Sequence, residues 1–445
     1  RIVTDRKRAS LEVSFCPLVF RNHRYQALAG FMLKVEAKAL TRSMHRSQVL
    51  TRTGAAGARY ADNSVLATGR WAKIRVPATG VYQLSEALIR KAGFTDLSKV
   101  KIYGYGGHLQ NEKLTEADLI AYDDLKELAT CTVNGRRLFY AKGPVSWASA
   151  GDVTRIRNPY SDYGYYFLTQ TDGAPLTVDA DAFLQSFYPG NDDYHVLHEV
   201  DNFAWFQGGR NLFEDTPIAK GTSKTYTLAS TARTSIGKVS VVLSAGMAGS
   251  ASIKVNGREV GQINIVLSQY DKGNAAGKTF QVDNLSANNE VEITTTQGGP
   301  IRLDYIQLTL SEPKPAPDLA AATFPVPEYV HTITNQNLHA DGPADMVIII
   351  PTSQKLLSQA QRLKAFREKN DGLRVRIVPS DELFNEFSSG TPDANAYRRY
   401  LKMLYDRAAT DADMPRYLLL FGDCAWDNRM NTSEWRQART EDYLL

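Results

Sequence analysis

Cysteine is the side chain with the most chemistry to offer here, and it is scarce. Cys16, Cys131 and Cys424 are far apart and odd in number, so they form neither a disulfide framework nor a C-x-x-C metal pair. Cys424 follows Gly422-Asp423 at the end of an apolar run, 417–421, the place where an open α/β sheet presents ligand-binding groups. A thiolate nucleophile needs a nearby base, usually histidine, and no histidine follows His339. Cys424 therefore reads better as a small loop residue. Asp423 and Asp427 read better as loop or helix caps than as acid–base groups. His195-Val196-Leu197-His198-Glu199 fits neither H-E-x-x-H nor H-x-x-E-H and lacks a nearby third ligand, so it reads as a packed or strand-edge pair. Gly104-Tyr105-Gly106-Gly107 follows a strand-like run, but the third glycine of G-x-G-x-x-G is missing and no helix opens behind it; it reads as a turn. Asn191-Asp192-Asp193 reads as an acidic turn rather than a Ca²⁺ loop. Tyr160, Tyr163, Tyr165 and Tyr166 read as a packed strand and its corner rather than a sugar-binding face. No complete catalytic constellation, cofactor motif or metal set emerges.

The totals set the scale. The 445 residues suggest about three domains. Hydrophobic residues at 43% and charged residues at 22% are ordinary for globular protein. The formal net charge of +4 is too small to imply nucleic acid, and no basic stripe with interleaved aromatics occurs. No stretch approaches the 18 or so apolar residues of a transmembrane helix. The basic start, Arg1 to Ser10, lacks an apolar h-region, so no signal peptide is expected. The chain also begins without Met.

The elements that must position any site fall into several units. Residues 1–45 read as strands, from the alternation of Leu11, Val13 and Phe15 and of Phe31, Leu33 and Val35. Residues 46–60 read as a linker or mobile loop. Residues 61–200 read as a β-rich domain with one short helix, Ser85 to Ala92 ended by Gly93, and a hairpin at Asn134-Gly135. Residues 203–311 read as a β-sandwich or jelly roll, with a second type I′ turn at Asn256-Gly257. Residues 312–344, opening on Pro313-Lys314-Pro315-Ala316-Pro317, read as a stiff linker.

Residues 345–445 change period. Met346 to Ile350 is a strand buried on both faces. A helix over about 353–369 has Leu356, Ala360, Leu363 and Phe366 on one face and stops at Asp371-Gly372. Arg374 to Val378 is a second strand. Thr391-Pro392 looks like N-cap plus N1 of a helix striped by Tyr397, Tyr400, Leu401, Leu404 and Tyr405. The run 417–421 is a third buried strand. Strand, helix, strand, helix, strand implies a parallel sheet that the remaining polar residues do not complete. The fold class expected is thus multidomain: β-rich N-terminal domains including a sandwich, then an incomplete parallel α/β domain.

Several phrases together resemble one family. Tyr60-Ala61-Asp62-Asn63-Ser64-Val65-Leu66-Ala67-Thr68-Gly69-Arg70-Trp71 followed by Gly80-Val81-Tyr82 looks like the opening of type IX secretion system sortases. So do Lys101-Ile102-Tyr103-Gly104-Tyr105-Gly106-Gly107, Gly143-Pro144-Val145-Ser146-Trp147 and Asn158-Pro159-Tyr160-Ser161. Residues 345–423 are similar to the first subdomain of the gingipain cysteine peptidases, in the order V-I-I-I-P strand end, helix, G-L-R-V strand, helix, L-L-x-G-D strand end. The resemblance covers nearly the whole chain and implies a caspase/gingipain-like fold. It implies a Cys–His peptidase at the surface of a Gram-negative bacterium, peripheral to the outer membrane. Such an enzyme removes the C-terminal signal domain of secreted cargo proteins and can pass the acyl group to anionic lipopolysaccharide. Its implied partners are cargo proteins, an outer-membrane barrel with other components of an attachment complex, and the lipopolysaccharide acceptor, with no nucleic acid and no cofactor. The family's G-H-G-like and A-C-like turns do not occur in this chain and Cys424 does not match the nucleophile position, so no catalytic residue carries over; the dyad is expected downstream of Leu445, and the chain alone is expected to be inactive. Two non-catalytic expectations stand beside this one: a fragment that docks on outer-membrane proteins, and a carbohydrate-binding sandwich at 203–311.

Overall fold

The computed structural model describes residues 2–5, 8–14, 17–28, 30–34, 59–206, 211–231 and 233–445. It opens with two antiparallel hairpins, β1 (Ile2–Asp5) with β2 (Arg8–Leu11) and β3 (Leu18–Arg21) with β4 (Arg24–Ala27). Asn22 and His23 take positive φ at the second turn, as a two-residue hairpin loop requires. Phe31 and Leu33, expected on a strand, lie in irregular, exposed chain. Phe15, Val35 and residues 46–58 lie outside the described residues.

The first β-rich unit holds β5 (Trp71–Val76), β6 (Gly80–Leu84), α1 (Glu86–Lys91), β7 (Val100–Tyr103), α2 (Glu116–Ala121), β8 (Cys131–Val133), β9 (Arg136–Ala141), β10 (Val145–Ser146), β11 (Ile156–Arg157), β12 (Gly164–Gln170) and α3 (Ala180–Gln185). The expected helix is α1: Ser85 caps it by accepting from the Leu88 N–H, and Gly93 at φ 82° follows it. Sequence reading missed α2 and α3, whose six residues are too few to show a helical stripe. Asn134 and Gly135, both at positive φ, join β8 to β9 as expected.

The sandwich is built from β13 (His195–Glu199), β14 (Ser223–Ala229), β15 (Gly237–Ala245), β16 (Gly249–Val255), β17 (Arg258–Ile265), β18 (Asn274–Val282), β19 (Asn288–Gln297) and β20 (Ile301–Leu310). Its sheets run β13-β20-β15-β18 and β14-β19-β16-β17. Inward residues such as Val241, Ile253, Ile293 and Ile306 are fully buried between them. β13 belongs to this sandwich, through pairs from His195↔Thr309 to Glu199↔Tyr305, and not to the preceding unit. The 312–344 segment is more than a linker, because β21 (Glu328–Ile333) returns to pair with β5 and gives the sheet β21-β5-β12-β7.

The last unit holds β22 (Met346–Ile350), α4 (Leu357–Asp371), β23 (Val375–Pro379), α5 (Ser380–Phe387), α6 (Asn395–Arg407) and β24 (Tyr417–Leu420). The three strands are parallel in the order β23-β22-β24. β22 is buried throughout, as its apolar run requires. β24, at one edge of the sheet, is not: Tyr417, Leu418 and Leu420 are exposed. On α4 only Ala360 of the expected stripe is buried and Phe366 points to solvent. Sequence reading missed α5. Thr391 caps no helix; α6 begins at Asn395 and buries Tyr397, Tyr400 and Leu404 as its stripe predicts.

Thr391 is instead part of a docking loop. The Ser389 hydroxyl donates to the Tyr165 carbonyl at 2.9 Å and accepts from the N–H groups of Tyr105 and Gly106 at 2.9 and 3.3 Å. Thr391 donates to the Gly106 carbonyl and accepts from the Tyr165 N–H, at 3.1 and 3.2 Å. Asp393 accepts from the Gln110 N–H at 3.1 Å. All three side chains are buried. The glycines are required: a Cβ on Gly106, at φ 87°, would lie 2.5 Å from the Tyr166 hydroxyl and 2.6 Å from the Lys142 carbonyl.

A second clamp joins the same two units. His339 is fully buried, stacked on Phe387, with Nδ1 2.6 Å from Glu386 and Nε2 3.3 Å from Asp123. Burial alone would lower its pKa, but hydrogen bonds to Asp123 and Glu386 outweigh burial and raise it to about 9. The imidazolium is thus shared by a carboxylate from each unit.

Two expectations follow. Gly106→Ala should cost about 2 kcal/mol or more in denaturant unfolding, while Gly151→Ala, in open space, should stay within about 0.5 kcal/mol. His339 contributes stability that is complete below the unfolded pKa near 6.5 and is lost as pH rises through 9. Melts between pH 6 and 10 should show a decline worth about 3 kcal/mol in the parent. That decline should vanish in His339→Gln; an equal pH slope in both proteins would remove the imidazolium from the clamp.

Candidate functional site

The carboxyl ends of β22 and β23 and the loop after β24 face the first β-rich unit across a cavity of about 400 Å³. Thr352 and Ser380 contribute from the strand ends, their hydroxyls 3.0 Å apart, and Asp381 from the start of α5. Lys73, Tyr160, Tyr163 and Tyr165 contribute from the opposite wall. Lys73 is only 7% exposed, because this face of β5 is covered by α5 and the docking loop. Its ammonium donates to the Asn385 amide at 3.1 Å and lies 4.6 Å from the Tyr165 ring centre. Burial lowers its pKa to about 8, and the negative charge of Asp381 pulls the other way. Burial likewise raises Asp381. Arg75 lies over Tyr163 at 4.0 Å and is paired with Glu328. This edge can hold a polar ligand between charges of opposite sign.

The residues singled out from sequence separate here. Tyr160, Tyr163 and Tyr165 line the cavity, whereas Tyr166 is core, its hydroxyl accepting from the Lys142 N–H at 2.7 Å. Gly104-Tyr105-Gly106-Gly107 is the cradle for the docking loop. Cys424 is exposed; the chain there turns to pair with Leu444, whose N–H donates to the Asp423 carbonyl at 2.8 Å. Asp423 accepts from the Cys424 N–H, and buried Asp427 accepts from the N–H groups of Arg429, Asn431 and Thr432, so both cap the loop as expected. Among the described residues no histidine hydrogen-bonds a cysteine sulfur. His195 stacks on Trp147 at 4.5 Å and its ring nitrogens sit near the Asn191 and Asp152 carbonyls, while His198 packs against Tyr226. Asp193 caps its own turn by accepting from the Gly190 N–H at 2.8 Å, and Asn191 donates to the Trp147 carbonyl at 2.9 Å.

Beside the cavity lies a buried ionic cluster that sequence reading missed. Arg429 donates to Asp162 at 2.8 Å and Asp201 at 2.7 Å. Arg157 reaches Asp162 at 2.7 Å, Glu199 at 3.1 Å and Asp201 at 3.0 Å. Arg155 reaches Glu199 at 3.0 Å and Asp304 at 3.2 Å. All three units meet in it. Burial raises Asp304 to about 7; the arginines oppose that shift, and Glu199 and Asp201 add to it. The one signal available was period two: Arg155 with Arg157, and Glu199 with Asp201, each fall on one face of an extended chain.

Comparison with known proteins places this geometry. Residues 339–444 match the model of Peptidase family C25. Dimeric latent PorU from Porphyromonas gingivalis has a TM-score of 0.69 and 27% identity, over 88% of this chain and 44% of that chain. The chain therefore spans less than half the length of that relative. A family 35 carbohydrate binding module from an environmental isolate aligns over 27% of this chain and 90% of its own, with 17% identity and a TM-score of 0.21. CBM35 from Cellvibrio japonicus Abf62 aligns over 25% and 83%, with 15% identity and a TM-score of 0.20. Likeness at that level carries no argument. No curated protein matches the chain. The parallel α/β unit thus matches the family C25 model over residues 339–444, on a β-rich chain whose fold is similar to that of PorU.

Proposed function

We propose that this chain is the N-terminal part of a type IX secretion system sortase, a cell-surface cysteine peptidase held peripherally at the outer membrane of a Gram-negative bacterium. The observation that carries the reading is the coincidence of a family C25 segment with a PorU-like fold along most of the chain. In this reading the complete enzyme cuts the C-terminal signal domain from cargo proteins. A thiolate attacks the peptide carbonyl, the amine leaves, and the thioester goes to water or to an amine of anionic lipopolysaccharide. In this reading the 445 residues by themselves are inactive, because the family's histidine and cysteine motifs match no position in them. Among the described residues no helix is long and apolar enough to cross a membrane, which is compatible with peripheral attachment. A peptidase assay of the chain on cargo C-terminal domains should show no turnover. Turnover abolished by Cys424→Ala would overturn both the inactivity and the loop role of Cys424.

A second reading, docking on outer-membrane partners, is favoured by the β3–β4 hairpin. Phe20 and Tyr25 are 60% and 73% exposed, and an isolated hairpin is marginal in water without a surface to cover it. Pull-down with the barrel component of the attachment complex should succeed with the parent chain and fail with Phe20→Ser/Tyr25→Ser. Equal capture of both proteins would remove the hairpin from docking.

A further inference from the structure

A carboxylate triad on the sandwich is filled from another unit. Glu199 at the end of β13, Asp201 just beyond it and Asp304 on β20 bring carboxylate oxygens within 4.8 Å of one another. Their side chains are 2%, 4% and 3% exposed. Three buried carboxylates this close repel, and the fold has to supply positive charge. It does so with Arg155, whose Nε lies 3.0 Å from Glu199 and whose Nη2 lies 3.2 Å from Asp304, with the guanidinium 4.1 Å above the Tyr305 ring. Arg157 and Arg429 hold the second oxygen of Asp201. The first oxygen of Asp201 is buried and hydrogen-bonds to nothing, on a residue only 8% exposed.

Converging anionic oxygens from three side chains are the donor set of a hard divalent cation. A buried carboxylate oxygen left without a donor is the group such a cation would satisfy. We propose that the triad is a cation site whose resident is the Arg155 guanidinium, so that the first β-rich unit and a divalent cation compete for the same oxygens. The guanidinium satisfies the triad and ties the sandwich to the first unit at once. A metal would satisfy the sandwich alone and release that tie.

Thermal unfolding of the 445-residue chain with and without millimolar calcium chloride tests this. The parent should not respond, and Arg155→Met should melt lower and regain about 5 °C with calcium. A parent that responds as strongly as Arg155→Met, or an Arg155→Met that does not respond, overturns the proposal. Arg155→Lys covers the case where the Met variant does not fold. Its ammonium keeps the charge but lacks the planar fork that reaches Glu199 and Asp304 together, so a smaller calcium response is expected, and none would overturn the proposal. Adding Asp304→Asn to either variant should abolish the response; a response that persists places calcium elsewhere and overturns it as well.

Discussion

Polar backbone buried between two units is the constraint on which the rest of this molecule depends. The turn at Tyr105 and Gly106 presents N–H and C=O groups that no sheet or helix satisfies, and burying them unpaired would cost several kcal/mol in total. Ser389 and Thr391 satisfy them with two hydroxyls, each donating once and accepting at least once. This arrangement needs glycine at the turn, small hydroxyl residues on the loop and a fixed distance between β12 and α5. With that distance fixed, the cavity at the strand ends acquires its second wall, and Lys73 becomes a buried side chain.

Charge is handled by the same sharing. The Arg155–Arg157–Arg429 cluster draws its carboxylates from the first unit and the sandwich, and the His339 clamp draws one from the first unit and one from α5. Buried ion pairs of this kind add little net stability over apolar packing, but removing one partner leaves an uncompensated charge. Their effect here is on which surfaces meet. An arrangement that separates these partners leaves buried charges uncompensated, so misplaced packing is disfavoured even where its apolar area would be similar.

Local chemistry made much of the fold legible in the sequence. Asn134-Gly135, Asn256-Gly257, Ser85 with Gly93, and the run Met346–Ile350 each reveal themselves within a few residues, because turn, cap and buried-strand preferences are short-range. What escaped was set by distant partners. Thr391-Pro392 looks like a helix start until Gly106 is seen beside it. The glycine run 104–107 was legible as a turn, but its role required the loop that fills it, nearly 300 residues later in the chain. The tyrosines divided by the alternation of β12: Tyr166 faces the core, and Tyr165 faces the cavity.

The pairing of β21 with β5 also has a temporal meaning. More than half of the chain lies between these neighbouring strands, and the whole sandwich is contained in that interval. In a chain emerging from its amino end, the sandwich has all its strands before β21 appears. The first sheet keeps an open edge at β5 throughout that time. Such a long loop closure is slow relative to local hairpins, and an uncovered strand edge is the usual point of wrong association. The sandwich therefore behaves as an insertion that must fold on its own, and β21 as the late stitch that closes the sheet around it.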